Sequence, residues 1–309
     1  MRPINKAIFS LLTLLIAILA MIFYLHEGEI QTSADEGSEI NSVGSTDEIK
    51  VTFLDIGQGD ATFIEFPNGE QMLVDCAIDA RIIEALGRVM PYYDHDIDYL
   101  LVTHPDTDHY AGCTEVLKRF DVKNIIYTGV QKEDDTWLEF WNTVEQEPAD
   151  YYEINDEGVW EIASTTIHFL YPDHSLVEDS EIPGTEKEAN GNNTSIVFKL
   201  SYGDMDLLMT GDAEEDLEEY LLAIYGDQLD VNILKAGHHG SGSSSMQDFI
   251  DMVGPDHTII SCGQNNKFGH PSRRVLKRLE RAGSEIWRTD LLGDIIVYIN
   301  RDSVFVNER

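Results

Sequence analysis

Residues 97–113, IDYLLVTHPDTDHYAGC, constrain this chain more than any other stretch. An apolar run reaches Thr103 and breaks at once into His104, Asp106, Asp108 and His109. Ionisable groups at the end of a buried strand cost free energy unless something pairs them. The pattern recurs: Asp212 follows DLLMTG, His238 and His239 follow DVNILKAG, and His270 lies beyond TIISCG. Apolar strands that each end in metal-capable side chains assemble a site from loops at one edge of a sheet.

The rest of the pattern agrees with a layered fold. From Lys50 the chain runs through short β-rich segments, KVTFLDIG, DATFIEF and QMLVDC, with Pro67-Asn68-Gly69 as a hairpin signal between the last two. Helical periodicity marks residues 82–90, 115–120, 137–145, 214–225 and 271–282, and strands resume at STTIHFLY, SIVFKLSYGDMDLLMTGD, DVNILKAG, HTIISCG and IIVYIN. Hairpins and crossovers interleaved with amphipathic helices predict an α/β domain over residues 49–309, two mixed sheets inside and helices outside. An apolar content of 42% is enough for such a core.

Residues 7–25, AIFSLLTLLIAILAMIFYL, are uncharged and long enough to span a bilayer as a helix. Arg2 and Lys6 precede this run and Glu27 and Glu29 follow it. That asymmetry places the N-terminus inside and the remainder outside the cytoplasm. Residues 1–26 are thus expected to be a membrane anchor or a cleaved signal segment, and residues 27–48 an acidic linker. Cys76, Cys113 and Cys262 are odd in number and lack CxxC spacing, so they are expected to be small buried apolar residues.

Residues 104, 106 and 108 alternate, so extended backbone turns their side chains to one side, while His109 is free to face a second centre. One ion rarely takes four ligands from so short a loop. Two ions about 3.5–4 Å apart would use them all. Taken singly, Asp212 could merely cap a helix and HHGSGSSS could be a polar loop. The clustering of all three segments speaks against that.

HxDxDH, the later TGD and GHHGS resemble the metallo-β-lactamase fold, whose common motif is HxHxDH. More narrowly, FLDIGQGDATFIEFPNGEQMLVDC, NNTSIVFKLSYGDMDLLMTGD, LKAGHHGS and NKFGHPSRRVLKRLERAGSEIWRTDLLGDI resemble the metallo-β-lactamase-like domain of ComEC-type DNA-uptake proteins. The resemblance implies a four-layer αββα sandwich. It also implies His104, Asp106 and a third group, with Asn193 near its place, around one ion. Asp108, His109 and His239 would surround the other, with Asp212 bridging. The implied ions are two Zn²⁺, with Mn²⁺ as the alternative because Asp106 stands where the wider fold has His and oxygen ligands suit harder ions.

The implied activity is an extracytoplasmic hydrolase, a phosphodiesterase or nuclease acting on DNA through a hydroxide that bridges the two ions. Asp108 would orient that nucleophile, and His238 would protonate the leaving group or hold a phosphate oxygen. Asp75, Asp55 and Gln58 are expected to brace the ligands or to shape turns. Hydrolysis of a lactam, thioester or phosphocholine ester, or a non-catalytic binding role, are the alternatives. A net charge of -36 opposes diffuse attraction to nucleic acid, so such a substrate needs a local positive site. His270 and the basic helix beyond it, carrying Arg274 and Arg278 between a Ser272 cap and a Gly283 stop, are the candidates.

Overall fold

A computed structural model describes residues 47–309 apart from Glu186 and Asn190. The expected anchor at 7–25 and nearly all of the acidic linker lie outside the described residues. Among those described, no helix is long and apolar enough to cross a membrane.

The strands follow in chain order as β1 (Ile49–Phe53), β2 (Thr62–Glu65), β3 (Gln71–Val74), β4 (Asp96–Leu101), β5 (Asp121–Tyr127) and β6 (Asp150–Glu153). Then come β7 (Gly158–Ile162), β8 (Thr165–Tyr171), β9 (Val197–Tyr202), β10 (Met205–Met209), β11 (Ile233–Lys235), β12 (His257–Ile260) and β13 (Glu285–Arg288). Last, β14 (Ile295–Ile299) and β15 (Val304–Glu308) return beside β1. They form two sheets, ordered β15-β14-β1-β2-β3-β4-β5-β6 and β13-β12-β11-β10-β9-β8-β7. Each sheet is antiparallel on one side and parallel on the other: β3 through β6 run parallel in the first, β10 through β13 in the second.

Alternation along each strand makes two faces. Ile64, Met72, Val74 and Leu101 meet Phe169, Phe198, Leu207 and Met209 between the sheets. Their neighbours Phe63, Leu73 and Leu100 point the other way, onto α1 (Arg81–Val89) and α2 (Asp135–Val144) through Ile82, Leu86, Trp137 and Phe140. Val197, Leu208 and Leu234 likewise meet α3 (Glu215–Tyr225) and α4 (Gln247–Val253), and Ile260 meets Val275 and Leu279 of α5 (Arg273–Ala282). The result is the predicted four-layer sandwich. Truncating a fully buried ring such as Phe198 to Ala would cost about 3–5 kcal/mol.

Helix α5 begins and ends where expected: the Ser272 hydroxyl accepts from the Val275 N–H, and Gly283 takes a left-handed φ of +83°. The cysteines correct the sequence reading. Cys76 and Cys113 form a disulfide across 37 positions, with Cα atoms 5.1 Å apart, and only Cys262 is a free buried thiol. Contact at that distance needs Gly112, where an added Cβ would lie 1.9 Å from the Cys76 carbonyl oxygen. Spacing carries no signal for such a pair, because the two residues meet only after β4 has folded back against β3.

Candidate metal centre

The carboxyl ends of parallel strands meet at one edge of the sandwich. After β4 comes the His104–His109 stretch, after β10 Asp212, and after β11 a tight turn, Gly237–Gly240, that carries His238 and His239. Both histidines adopt left-handed backbone, φ 46° and 53°. Such conformations cost about 1–3 kcal/mol each and persist where the surroundings enforce them. They split the adjacent pair: His239 is buried, whereas His238 stays partly open at the mouth of the cleft.

His104, His109 and Asp212 bring ligand atoms within 4.8 Å of one another, as do Asp108, His109 and His239, and Asp60, Asp212 and His239. His109 Nε2 lies 3.3 Å from an Asp212 oxygen, and His239 Nε2 lies 3.5 Å from Asp212 and 3.6 Å from Asp108. The far side of each ring is committed. His109 Nδ1 donates to Asp75 at 2.7 Å, and His239 Nδ1 donates to the Ser261 carbonyl at 3.1 Å. The Thr103 hydroxyl donates to Asp75 at 2.7 Å and therefore accepts from His104 Nδ1 at 3.0 Å. All three imidazoles thus turn Nε2 inward. Those three atoms and Asp212 Oδ1 are buried without a hydrogen-bond partner. Orphaned buried polar atoms are rare and call for an explanation.

Electrostatics supply it. Asp60, Asp75 and Asp212 are buried and Asp108 is partly so, and Lys235, itself buried, lies among them 2.5 Å from Asp60. Burial opposes charge on His239, yet Asp212 and Asp60 push its imidazole up to about 10. Burial is likewise outweighed at His109, where Asp212 and Asp75 hold the ring well above its ordinary range. Asp212 would be raised by burial but is held well below the carboxylate range by His239 and His109. Of the three inward imidazoles, His104 is the one pushed down, to about 3, by burial and by His109 beside it. Left to itself the cluster balances its carboxylates with protons on two imidazoles. A divalent cation at the inward Nε2 atoms would do so without them, so the donor set fits the ion that the sequence implies.

The remaining sequence candidates divide. Gln58 Nε2 donates to Asp108 Oδ2 at 2.9 Å and Asp75 orients His109, both from outside the ligand set. Asp55 instead shapes a surface turn, accepting from the Gly57 N–H at 3.2 Å. Asp106 reaches within 3.8 Å of His104 but joins none of the groupings, because its other oxygen pairs with Lys132. The Asn193 side-chain oxygen accepts from the Glu214 N–H at 2.8 Å, a brace between its loop and the start of α3. His270 lines the cleft, whereas neither Arg274 nor Arg278 does. Arg278 donates to the carbonyls of Ser244 and Ser245, and Arg281 to Gln247, whereas Arg273, Arg274 and Lys277 stay exposed on the same helix.

Several participants escape a reading of the sequence. Asp60 sits in the turn GQGDAT, where a carboxylate is unremarkable. Lys235 did carry a signal, a charge inside the apolar run NILKAG that must find a buried partner. Asn192 and Glu214 approach His238 Nδ1 at 3.2 and 3.1 Å. Gly59 lets the Asp60 turn reach the metal loop, since a Cβ there would lie 2.0 Å from the Asp108 carbonyl oxygen. The cleft that results holds about 220 Å³ and is lined by Gln58, Asp108, Asn192, Asp212, His238 and His270 among others.

Comparison with known proteins agrees with this geometry. Residues 54–264, more than half of the chain, match the family described as the metallo-beta-lactamase superfamily. ComE operon protein 3 of Bacillus subtilis is 29% identical over 276 residues, which cover 84% of this chain and 34% of that protein. Competence protein ComA of Neisseria gonorrhoeae is 29% identical over 262 residues, covering 83% of this chain and 33% of that one. The chain therefore spans about a third of the length of these curated relatives. Among solved structures, the metallo-beta-lactamase fold protein YhfI from Bacillus subtilis is similar with a TM-score of 0.51 at 13% identity, over 84% of this chain and 100% of that chain. At that identity the likeness speaks for the fold alone.

Proposed function

The chain belongs to the metallo-beta-lactamase superfamily, a hydrolase fold, and from that premise we propose that it is a metal-dependent phosphodiesterase acting on nucleic acid, most simply DNA, outside the cytoplasm. One observation carries the reading: three inward Nε2 atoms and Asp212 Oδ1, buried and without hydrogen-bond partners, lie beside a cleft rimmed by His238, Asn192 and His270. Divalent ions, one or two of Zn²⁺ or Mn²⁺, would supply charge neutralisation and Lewis acidity at the phosphate and lower the pKa of an attacking water.

The chain's own groups do the rest. Asp108, held by Gln58, keeps a carboxylate oxygen directed at the ligand set. His238 is fixed through Nδ1 by Glu214, which leaves Nε2 in the cleft, 3.9 Å from Asp212, to give a proton to a departing oxygen. His270 is a neutral donor available to a non-bridging phosphate oxygen, while the Asn192 amide donates to Glu214 beside His238. The Cys76–Cys113 disulfide supports an oxidising, extracytoplasmic setting, as does the basic flank of the apolar run at 7–25. The competence relatives support a nucleic-acid substrate.

Purified protein loaded with Zn²⁺ or Mn²⁺ and offered single-stranded DNA, RNA, bis-p-nitrophenyl phosphate and a lactam tests the reading. Cleavage of the phosphodiesters and not the lactam is the expected outcome, and it should vanish, together with most bound metal, in Asp212→Asn. Lactam turnover without phosphodiester turnover would overturn it.

A further inference from the structure

We propose that Phe268, stacked on His270 at the rim of the cleft, is a platform for an unpaired nucleobase, which makes single-stranded nucleic acid or a frayed end the preferred substrate. The proposal rests on the phosphodiesterase reading above. Phe268 lines the same cleft as Asp108, Asp212 and His239, yet it is 55% exposed. A lone exposed Phe is ordinary. This one is built into place.

The Phe268 and His270 rings lie nearly parallel, 13° apart with centroids at 5.8 Å, and His270 in turn lies 5.6 Å from His238. The loop beneath is clamped by one side chain. Asn266 donates to the carbonyls of Gly263 and His270 at 2.9 and 2.6 Å and accepts from the His270 N–H at 2.9 Å. Phe268 is therefore presented by a short loop closed on itself, and much of the ordering cost of a binding surface is met before a ligand arrives. The exposed Lys267 lies over the Phe268 ring with Nζ 5.0 Å from its centroid, where a stacking base would displace the ammonium toward its own phosphate.

An aromatic face with an adjacent ammonium, next to a metal-ligand cluster, matches one nucleotide: base on ring, flanking phosphate on Lys267, scissile phosphate at the cluster. Bases within a duplex already use both faces in stacking, so only an unpaired or terminal base can take the platform. The charge distribution favours the same conclusion. With a net charge of -36, and with Arg278 and Arg281 engaged within the protein so that only part of the positive charge of α5 faces solvent, short-range stacking at the cleft is favoured over diffuse attraction as the source of affinity.

The test compares a thymidine dodecamer with a dodecamer of abasic tetrahydrofuran phosphates, using the full-length protein. Stacking contributes about 1–3 kcal/mol per base, so the parent should favour the base-bearing strand by roughly 5- to 100-fold in kcat/KM. That preference should collapse toward unity in Phe268→Ala and survive in Phe268→Trp. Equal cleavage of both polymers by the parent, or an undiminished preference in Phe268→Ala, would overturn the platform. Stacking is also read without turnover, as quenching of a 2-aminopurine oligonucleotide on binding. Absence of hydrolysis alongside Phe268-dependent quenching would count against the hydrolase reading and keep the platform. Quenching that is equal in parent and Phe268→Ala would remove it.

Discussion

Asp75→Asn isolates the orientation of one ligand. The parent carboxylate is 1% exposed and accepts three hydrogen bonds: the Thr103 N–H on Oδ1 at 2.8 Å, and the Thr103 hydroxyl and His109 Nδ1 on Oδ2, both at 2.7 Å. An amide can keep only one acceptor oxygen. If that oxygen stays on the Thr103 N–H, the NH₂ faces His109 Nδ1 and drives the imidazole proton onto Nε2, the atom that must bind metal. If it stays on His109, the NH₂ opposes a buried backbone N–H, and an unsatisfied donor of that kind costs about 1–3 kcal/mol. The first orientation should lower metal affinity by roughly 10- to 100-fold, the usual price of losing a partner behind a metal-binding histidine. The second should lower the melting temperature by about 2–4 °C per kcal/mol. Competition against a chromogenic chelator measures the affinity and differential scanning fluorimetry the stability. Asp55→Asn, a change at a surface turn, is the control. A variant at Asp75 that matched this control in both measurements would refute the claim that Asp75 sets the His109 tautomer.

Two further outcomes follow from buried groups away from the cleft. Glu218 is pushed up to about 8 by burial, against the opposing N–H groups of Ser245 and Met246, so its folded pKa exceeds the ordinary 4.5. The sign is that of a native state holding its proton more tightly: the contribution is full below pH 4.5 and is lost as pH rises to about 8, so Glu218→Gln should flatten the fall in stability across that window, seen as a pH series of melting temperatures. Loss of the Cys76–Cys113 link, which closes a loop of 37 positions, should cost up to about 3–4 kcal/mol in Cys76→Ala/Cys113→Ala, and alkylation of denatured, unreduced protein should label Cys262 alone. Three labelled cysteines would contradict the pairing.

Much of this molecule was legible because local chemistry and global position agree. Alternation in TFIE and QMLV, the Asn-Gly turn between them, and the Ser272 and Gly283 ends of α5 are short-range signals, and each element lies where they place it. The metal loop was legible for a different reason: polar ligands following an apolar strand violate the pattern around them. What stayed hidden depends on contacts between distant segments. Lys235 and Asp60 lie 175 positions apart and meet only when the two sheets pack. The arginines of α5 show the limit of charge patterning. Spacing marks a basic helix carrying Arg274 and Arg278, but it cannot tell which of them meets solvent, as Arg274 does, and which meets the carbonyls of Ser244 and Ser245, as Arg278 does.

Six of the eight strands of the first sheet are consecutive, β1 through β6, and the Cys76–Cys113 ring closes within them. That half carries His104, Asp108 and His109, while Asp212 and His239 belong to segments that leave the ribosome later. During synthesis an ion therefore finds only part of its cage until the second sheet has been made, and β1 keeps an open edge until β14 returns from the far end of the chain. Capture of an ion by the proposed ligands is in this way deferred until the segment through His239 has been made, and closure of the first sheet until β14 has followed.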